Sequence, residues 1–255
     1  MGAAWPIRRK RRIATVWTGL TLGVRLAERG TQACVRSPMH AQPESSQARR
    51  RSRRSDRAPT AEEAALLRLL SEQAAIPLDQ LARFGGGSLA ETVAVVQGLE
   101  EAGCLEHRRF LIRDHPWFWP SRRGAALADT GFHYNPPDVA ILAHRRAVNE
   151  IRLHLAERAP RGRWVCERTV FRQRDPEDHL PDAVFEIDGE RHAIEAELSH
   201  KGHREIRLIV AQHSNRYDAV LYFCGPRTYN LMKALQAEGR WPKLVVRRVP
   251  EAEPC

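Results

Sequence analysis

"HLPDAVFEIDGERHAIEAELSHKGHREIRLIV", residues 179–210, decides the reading of this chain. Two apolar runs flank the polar turn "DGE", and a polar-punctuated helical stretch follows. An Asp-Gly turn between alternating runs is a hairpin signal. Asp182 opens the first run, Glu195 and Glu197 sit in the second, and Lys201 comes next. Side chains alternate faces along a strand, so Glu195 and Glu197 share one face, away from Ile194 and Ala196. Asp182 starts the partner strand, so both strands present carboxylates at one end of a sheet. Carboxylate oxygens are hard donors suited to Mg²⁺ or Mn²⁺. From the residues alone the choice stays open between a metal site and a decorated sheet edge.

Working outward, "YNPPDVA" marks a boundary near residue 137. Beyond it, "VAILAHRRAVNEIRLHLAERA" predicts a helix, with Leu142, Val148, Ile151 and Leu155 on one side. "RWVCERTVF" predicts a strand, and "DAVFEI" and "RHAIEAEL" predict the hairpin. "KGHREIRLIVAQHS" and "TYNLMKALQAEG" predict helices, alternating with the strands "AVLYFC" and "KLVVRRV". The expected order is α-β-β-β-α-β-α-β.

That order, Pro181-Asp182, and Glu195-Ala196-Glu197 together resemble the PD-(D/E)xK nuclease superfamily. The resemblance implies a restriction-endonuclease-like α/β domain over residues 138–250, with Asp182 and Glu195 as ligands of Mg²⁺ or Mn²⁺. It implies Glu150, on the preceding helix, as an accessory acid. Glu167 in "WVCERTV" is a further candidate acid, with a cross-strand ion pair as the alternative. The chain departs from the motif at its lysine position, which is Glu197 here. Lys201, at the start of the next helix, is the first candidate replacement, and Arg204 the second. Asp182, Glu195, Glu197 and Lys201 are therefore the expected catalytic set, with Glu197 as ligand or base. His179 and His200 flank the motif and read as surface residues, with assistance in proton transfer as the alternative.

Ahead of residue 137, Thr60 and Glu63 have capping-box spacing, before the apolar positions Leu66, Leu67, Leu69 and Leu70. "IPLDQLARFGG" predicts a short second helix. Ser88 caps a third, with Leu89, Val93, Val96 and Leu99 at helical spacing and Gly103 ending it. "CLEHRRFLIRD" predicts a hairpin arm, and "WFWPSRRGAALADTG" closes the unit. This pattern over residues 59–131 resembles a winged helix-turn-helix domain, which implies the third helix as the DNA-reading element. That helix carries Glu91, Glu100 and Glu101 and no Lys or Arg. The expected DNA contacts are therefore Arg108, Arg109, Arg113, Arg122 and Arg123, on the wing and the turn after it.

The two-unit layout, with "LAHRRAVNEIR", "WVCER", "HLPDAVFEI" and "IEAELSHK" in order, resembles the replication-relaxation family of plasmids and other mobile elements. This implies a DNA-associated role in replication or mobilisation, with protein partners of that machinery. It does not by itself imply cleavage. A noncatalytic DNA-binding regulator or a protein-interaction adaptor on a degenerate nuclease fold is the alternative.

The bulk numbers set limits. Net charge is +10, but residues 1–58 hold 14 Lys/Arg against 3 Asp/Glu, and the remainder holds 27 against 28. The basic excess belongs to a tail whose Arg-rich, apolar-poor stretch at 40–60 reads as disordered. Global charge is thus weak support for DNA binding by the rest. The five cysteines form no CxxC and fit a reducing, cytoplasmic setting. No apolar stretch is long enough to span a bilayer, so no membrane partner is expected. "IRRKRR" before "IATVWTGLTLGV" imitates an export leader, but no convincing cleavage site follows. The other reading is an upstream extension, with Met39 as an alternative start.

Overall fold

The computed structural model describes residues 58–112, 114–173, 179–199 and 201–251. The tail through residue 57, Arg113 and His200 lie outside the described residues. The chain is mixed α/β, with two sheets.

The first sheet is small and antiparallel, in the order β1-β3-β2. It comprises β1 (Ile76–Pro77), β2 (Leu105–Arg108) and β3 (Trp117–Pro120). Three helices surround it: α1 (Ala61–Gln73), α2 (Leu78–Gly85) and α3 (Leu89–Glu101). A short α4 (Arg122–Leu127) follows β3. Both expected caps are present: Thr60 with Glu63 and Ser88 with Glu91 form complete capping boxes. Glu91 is therefore spent on starting α3 rather than on a groove. On α3 only Val96 and Leu99 are buried, and Leu89 is exposed. The buried strand "WFWP" and the two-residue strand β1 lay outside the sequence reading. Four residues without alternation carry no period by which to recognise a strand.

The second sheet runs β4-β5-β6-β7-β8. It is built from β4 (Arg163–Cys166), β5 (Ala183–Ile187), β6 (Glu190–Glu197), β7 (Ala219–Cys224) and β8 (Leu244–Arg248). The first three strands pair antiparallel, and β7 and β8 join in parallel. Asp188 (φ 50) and Gly189 (φ 86) form the β5–β6 turn, both left-handed as a tight primed turn requires. On one face Ala183, Phe185, Ile194 and Phe223 pack against Ala147, Val148 and Ile151 of α5 (Leu142–Arg158). On the other, Val184, Ala193, Val220 and Val246 meet α7 (His203–Arg216) and α8 (Tyr229–Ala237) through Ile206, Ile209, Val210, Met232 and Leu235. Each fully buried aliphatic chain contributes roughly 1.5–3 kcal/mol, so this layering fixes the register.

One element differs from expectation. The strand expected over "RWVCERTVF" stops at Cys166, and Glu167–Arg172 forms helix α6. Helical spacing puts Arg168 and Arg172 on one face. There Arg168 donates to the carbonyls of Ser71 and His133, and Arg172 to those of Thr130 and Gly131. Both guanidiniums also lie over the Phe132 ring. Tertiary contacts thus override the β-branched residues' strand preference.

Candidate functional site

The last paired residues of the β5–β6 ladder at this end are Ala183 and Ile194. Asp182 and Glu195 come one step beyond, side by side on adjacent strands. Asp182 Oδ2 accepts from the Ala196 N–H at 2.7 Å, and Oδ1 lies 2.8 Å from His144 Nε2. Glu195 shares the sheet face of Ala193, beneath α7, and is 4% exposed. Its Oε1 lies 2.7 Å from His213 Nε2 and 3.6 Å from His179 Nε2. Glu197 is buried on the same face. Its Oε1 accepts from the Ser199 N–H and hydroxyl, and its Oε2 lies 2.9 Å from Lys201 Nζ.

The electrostatics follow from these pairs. Burial pushes the Glu195 carboxyl up, but hydrogen bonds from His179 and His213 outweigh it and hold the group below its ordinary value. The bond to Glu195 raises His179 above the ordinary imidazole range, against partial burial. Burial pulls His144 down, and Asp182 more than restores it. Burial likewise pulls Lys201 down, and Glu197 lifts it above its ordinary value, so it stays charged at neutral pH. Tyr222 stands in register with Glu195 on the neighbouring parallel strand. Its hydroxyl is buried without a hydrogen-bond partner among the described residues. Burial and the carboxylates of Glu195, Glu197 and Asp182 push that phenol up.

Asp182, Glu195, Glu197 and Lys201 are therefore brought together. Two of the expected acids are not. Glu150 turns to the first unit, where its Oε1 lies 2.5 Å from Arg83 Nη1 and its Oε2 accepts from Gln80 at 3.0 Å. Its role is a buried tie between the units, because α5 presents this position to α2 rather than to the sheet. Glu167 heads α6, half exposed, 3.7 Å from Arg145. Arg204 is exposed on the first turn of α7.

Two residues, His213 and His144, carry no reading in the sequence, and a third, His179, carries a different one. His213 continues the stripe Ile206, Ile209, Val210 at helical spacing, a legible sign that it faces the sheet. His179 reads as a surface residue, yet it stands over Glu195. His144 reaches Asp182 from the first turn of α5, a long-range contact that no local pattern carries.

At the other sheet, Arg108, Arg109, Arg122 and Arg123 lie on β2, the segment after it and α4. Arg108 lies over the Phe110 ring and Arg122 over Tyr134. No described helix is long and apolar enough to cross a membrane. No family model, curated protein or solved structure matches the chain.

Proposed function

We propose that the chain is a DNA-associated protein of a plasmid or other mobile element, acting in replication or mobilisation, and that its second sheet carries a metal-dependent phosphodiesterase site. The observation that carries this reading is the gathering of Asp182, Glu195 and the Lys201–Glu197 ion pair at one end of the β5–β6 hairpin. The order α5-β4-α6-β5-β6-α7-β7, in which the short α6 is an addition to the expected series, supports a restriction-endonuclease-like frame. Three helices followed by β2 and β3 support a winged helix-turn-helix ahead of it.

The residues fit a divalent cation. Asp182 and Glu195 stand side by side on adjacent strands, and the Tyr222 hydroxyl, buried without a hydrogen-bond partner among the described residues, is in register with Glu195. They would hold Mg²⁺ or Mn²⁺, which when bound neutralises charge at a scissile phosphate and makes a coordinated water more acidic. Lys201 is charged and fixed by Glu197, so it offers electrostatic stabilisation to a pentavalent phosphate rather than a base. Glu197 itself is a ligand or base only when Lys201 swings away.

The test is cleavage of supercoiled and linear DNA with Mg²⁺, with Mn²⁺ and with chelator. Metal-dependent nicking that disappears in Asp182→Ala and Glu195→Ala establishes the site. A folded protein that retards DNA without cutting it favours a noncatalytic regulator. One observation favours that second reading: Asp182 and Glu195 are already satisfied by His144, His213, His179 and the Ala196 N–H.

A further inference from the structure

The feature left unused by cleavage is the pair of imidazoles on one carboxylate oxygen. His179 comes from the segment before β5, Glu195 from β6 and His213 from α7. Three separate elements thus deliver three donor atoms to one point, all within 4.8 Å of one another. Glu195 and His213 are 4% and 1% exposed, while the His179 side chain is 36% exposed. The cluster therefore has a buried floor and one accessible wall.

A plain buried ion pair accounts for one imidazole on Glu195 Oε1, at 2.7 Å. A second imidazole is drawn to the same oxygen, with its Nε2 at 3.6 Å. Four-coordinate zinc takes N and O donors at about 2.0–2.2 Å, which sets donor atoms roughly 3.3 Å apart. The two observed separations bracket that spacing. The third separation, between the two imidazole nitrogens, is within 4.8 Å, so an ion needs the donors to close by no more than about 1.5 Å. The fully buried Tyr222 hydroxyl, in register with Glu195, is an independent sign that the site lacks a partner. An orphaned buried polar atom calls for a missing water or ion.

We propose that His179, Glu195 and His213 form a binding site for a divalent transition ion of zinc-like softness. Two imidazoles and a carboxylate suit Zn²⁺ or Co²⁺, whereas Mg²⁺ favours an all-oxygen octahedron. Three protein donors leave a fourth position open, as in catalytic rather than structural zinc sites. The proposal deepens the cleavage reading, because Glu195 is common to both. The ion it selects differs, and so does the role of Asp182, which lies outside the three-donor set.

The test uses the full chain, stripped with chelator and titrated with Zn²⁺ or Mg²⁺ by calorimetry, with Co²⁺ absorption as a report on coordination. The expected result is one Zn²⁺ per chain, with a tetrahedral-type Co²⁺ spectrum. His179→Ala and His213→Gln should each weaken Zn²⁺ by at least about tenfold, since even outer partners of a metal site count for 10–100-fold. His179→Ala, at a partly exposed position, covers the case in which the buried variant fails to fold. Asp182→Ala should keep Zn²⁺ binding while losing nicking. Absence of stoichiometric Zn²⁺ binding by the folded wild type overturns the site, even if Mg²⁺-dependent nicking stands. So does unchanged binding in folded His179→Ala. Zn²⁺ binding with the expected variant pattern but no nicking upholds the site and removes the cleavage reading.

Discussion

Lys201 Nζ lies 2.9 Å from Glu197 Oε2, so a lysine four residues downstream returns its charge to the end of β6. Burial pulls this ammonium down and Glu197 overrides it, leaving it charged through neutral pH. A group held protonated cannot serve as a general base, so under the proposed cleavage its contribution is electrostatic. Lys201→Met should therefore lower the nicking rate by about 100-fold or more, the usual effect of removing one charge-stabilising donor. Lys201→Arg should retain part of the rate. Single-turnover nicking checks this, and a Lys201→Met rate within threefold of wild type would exclude the lysine from the reaction.

Glu150 separates a structural acid from a site acid. It is buried and bound to Arg83 and Gln80, and Gln80 also accepts from Asn149, which accepts from Gln73. Removing one partner of a buried pair strands the other. Glu150→Ala should cost about 3 kcal/mol, which for a chain of this size lowers the melting temperature by on the order of 10 °C. Below that temperature nicking should stay within twofold of wild type. A loss of nicking with unchanged melting would return Glu150 to the site.

What was legible in the sequence follows from where the information lies. The β5–β6 hairpin was readable because "DG" demands left-handed backbone and the flanking runs alternate. The capping boxes were readable because their residues are three apart. The carboxylate cluster was readable because strand alternation fixes faces without knowledge of the rest. The helix at Glu167–Arg172 was not, because the carbonyls that hold Arg168 and Arg172 come from residues 71 and 130–133. The expectation for Glu150 rests on topology, and topology gives a helix without giving its rotation. His144 and His179 gained meaning only when the fold brought Asp182 and Glu195 beneath them.

The basic residues at the end of β2 make a separate prediction. Arg108 ends β2 and Arg109 follows it, and neither is ion-paired with a carboxylate among the described residues. Each phosphate contact contributes about 0.9 to the slope of log affinity against log salt. Arg108→Ala with Arg109→Ala should weaken binding to duplex DNA and reduce that slope by about 1.8. Titrations at four or more salt concentrations measure it. An unchanged slope would assign the phosphate contacts to the Arg-rich tail instead.

Two glycines in the first unit predict opposite outcomes from the same substitution. Gly98 lies inside α3, and a Cβ there would meet only Glu63 Oε1, at an ordinary 3.9 Å. Gly98→Ala should raise stability by about 1 kcal/mol through helix propensity. Gly124 lies in α4, where a Cβ would fall 1.9 Å from the Cys104 carbonyl oxygen. That carbonyl also accepts from the Ser121 N–H at 2.9 Å, so it cannot retreat without breaking the contact that seats α4 against β2. Gly124→Ala should cost about 2–3 kcal/mol despite the same propensity gain. Urea unfolding of the two variants beside wild type measures both signs. The same displacement would move Arg122 and Arg123 relative to β2, so Gly124→Ala should also weaken DNA binding under conditions where it remains folded, while Gly98→Ala should leave it unchanged. Equal affinities for the two folded variants would mean that the turn carrying Arg122 and Arg123 does not meet DNA.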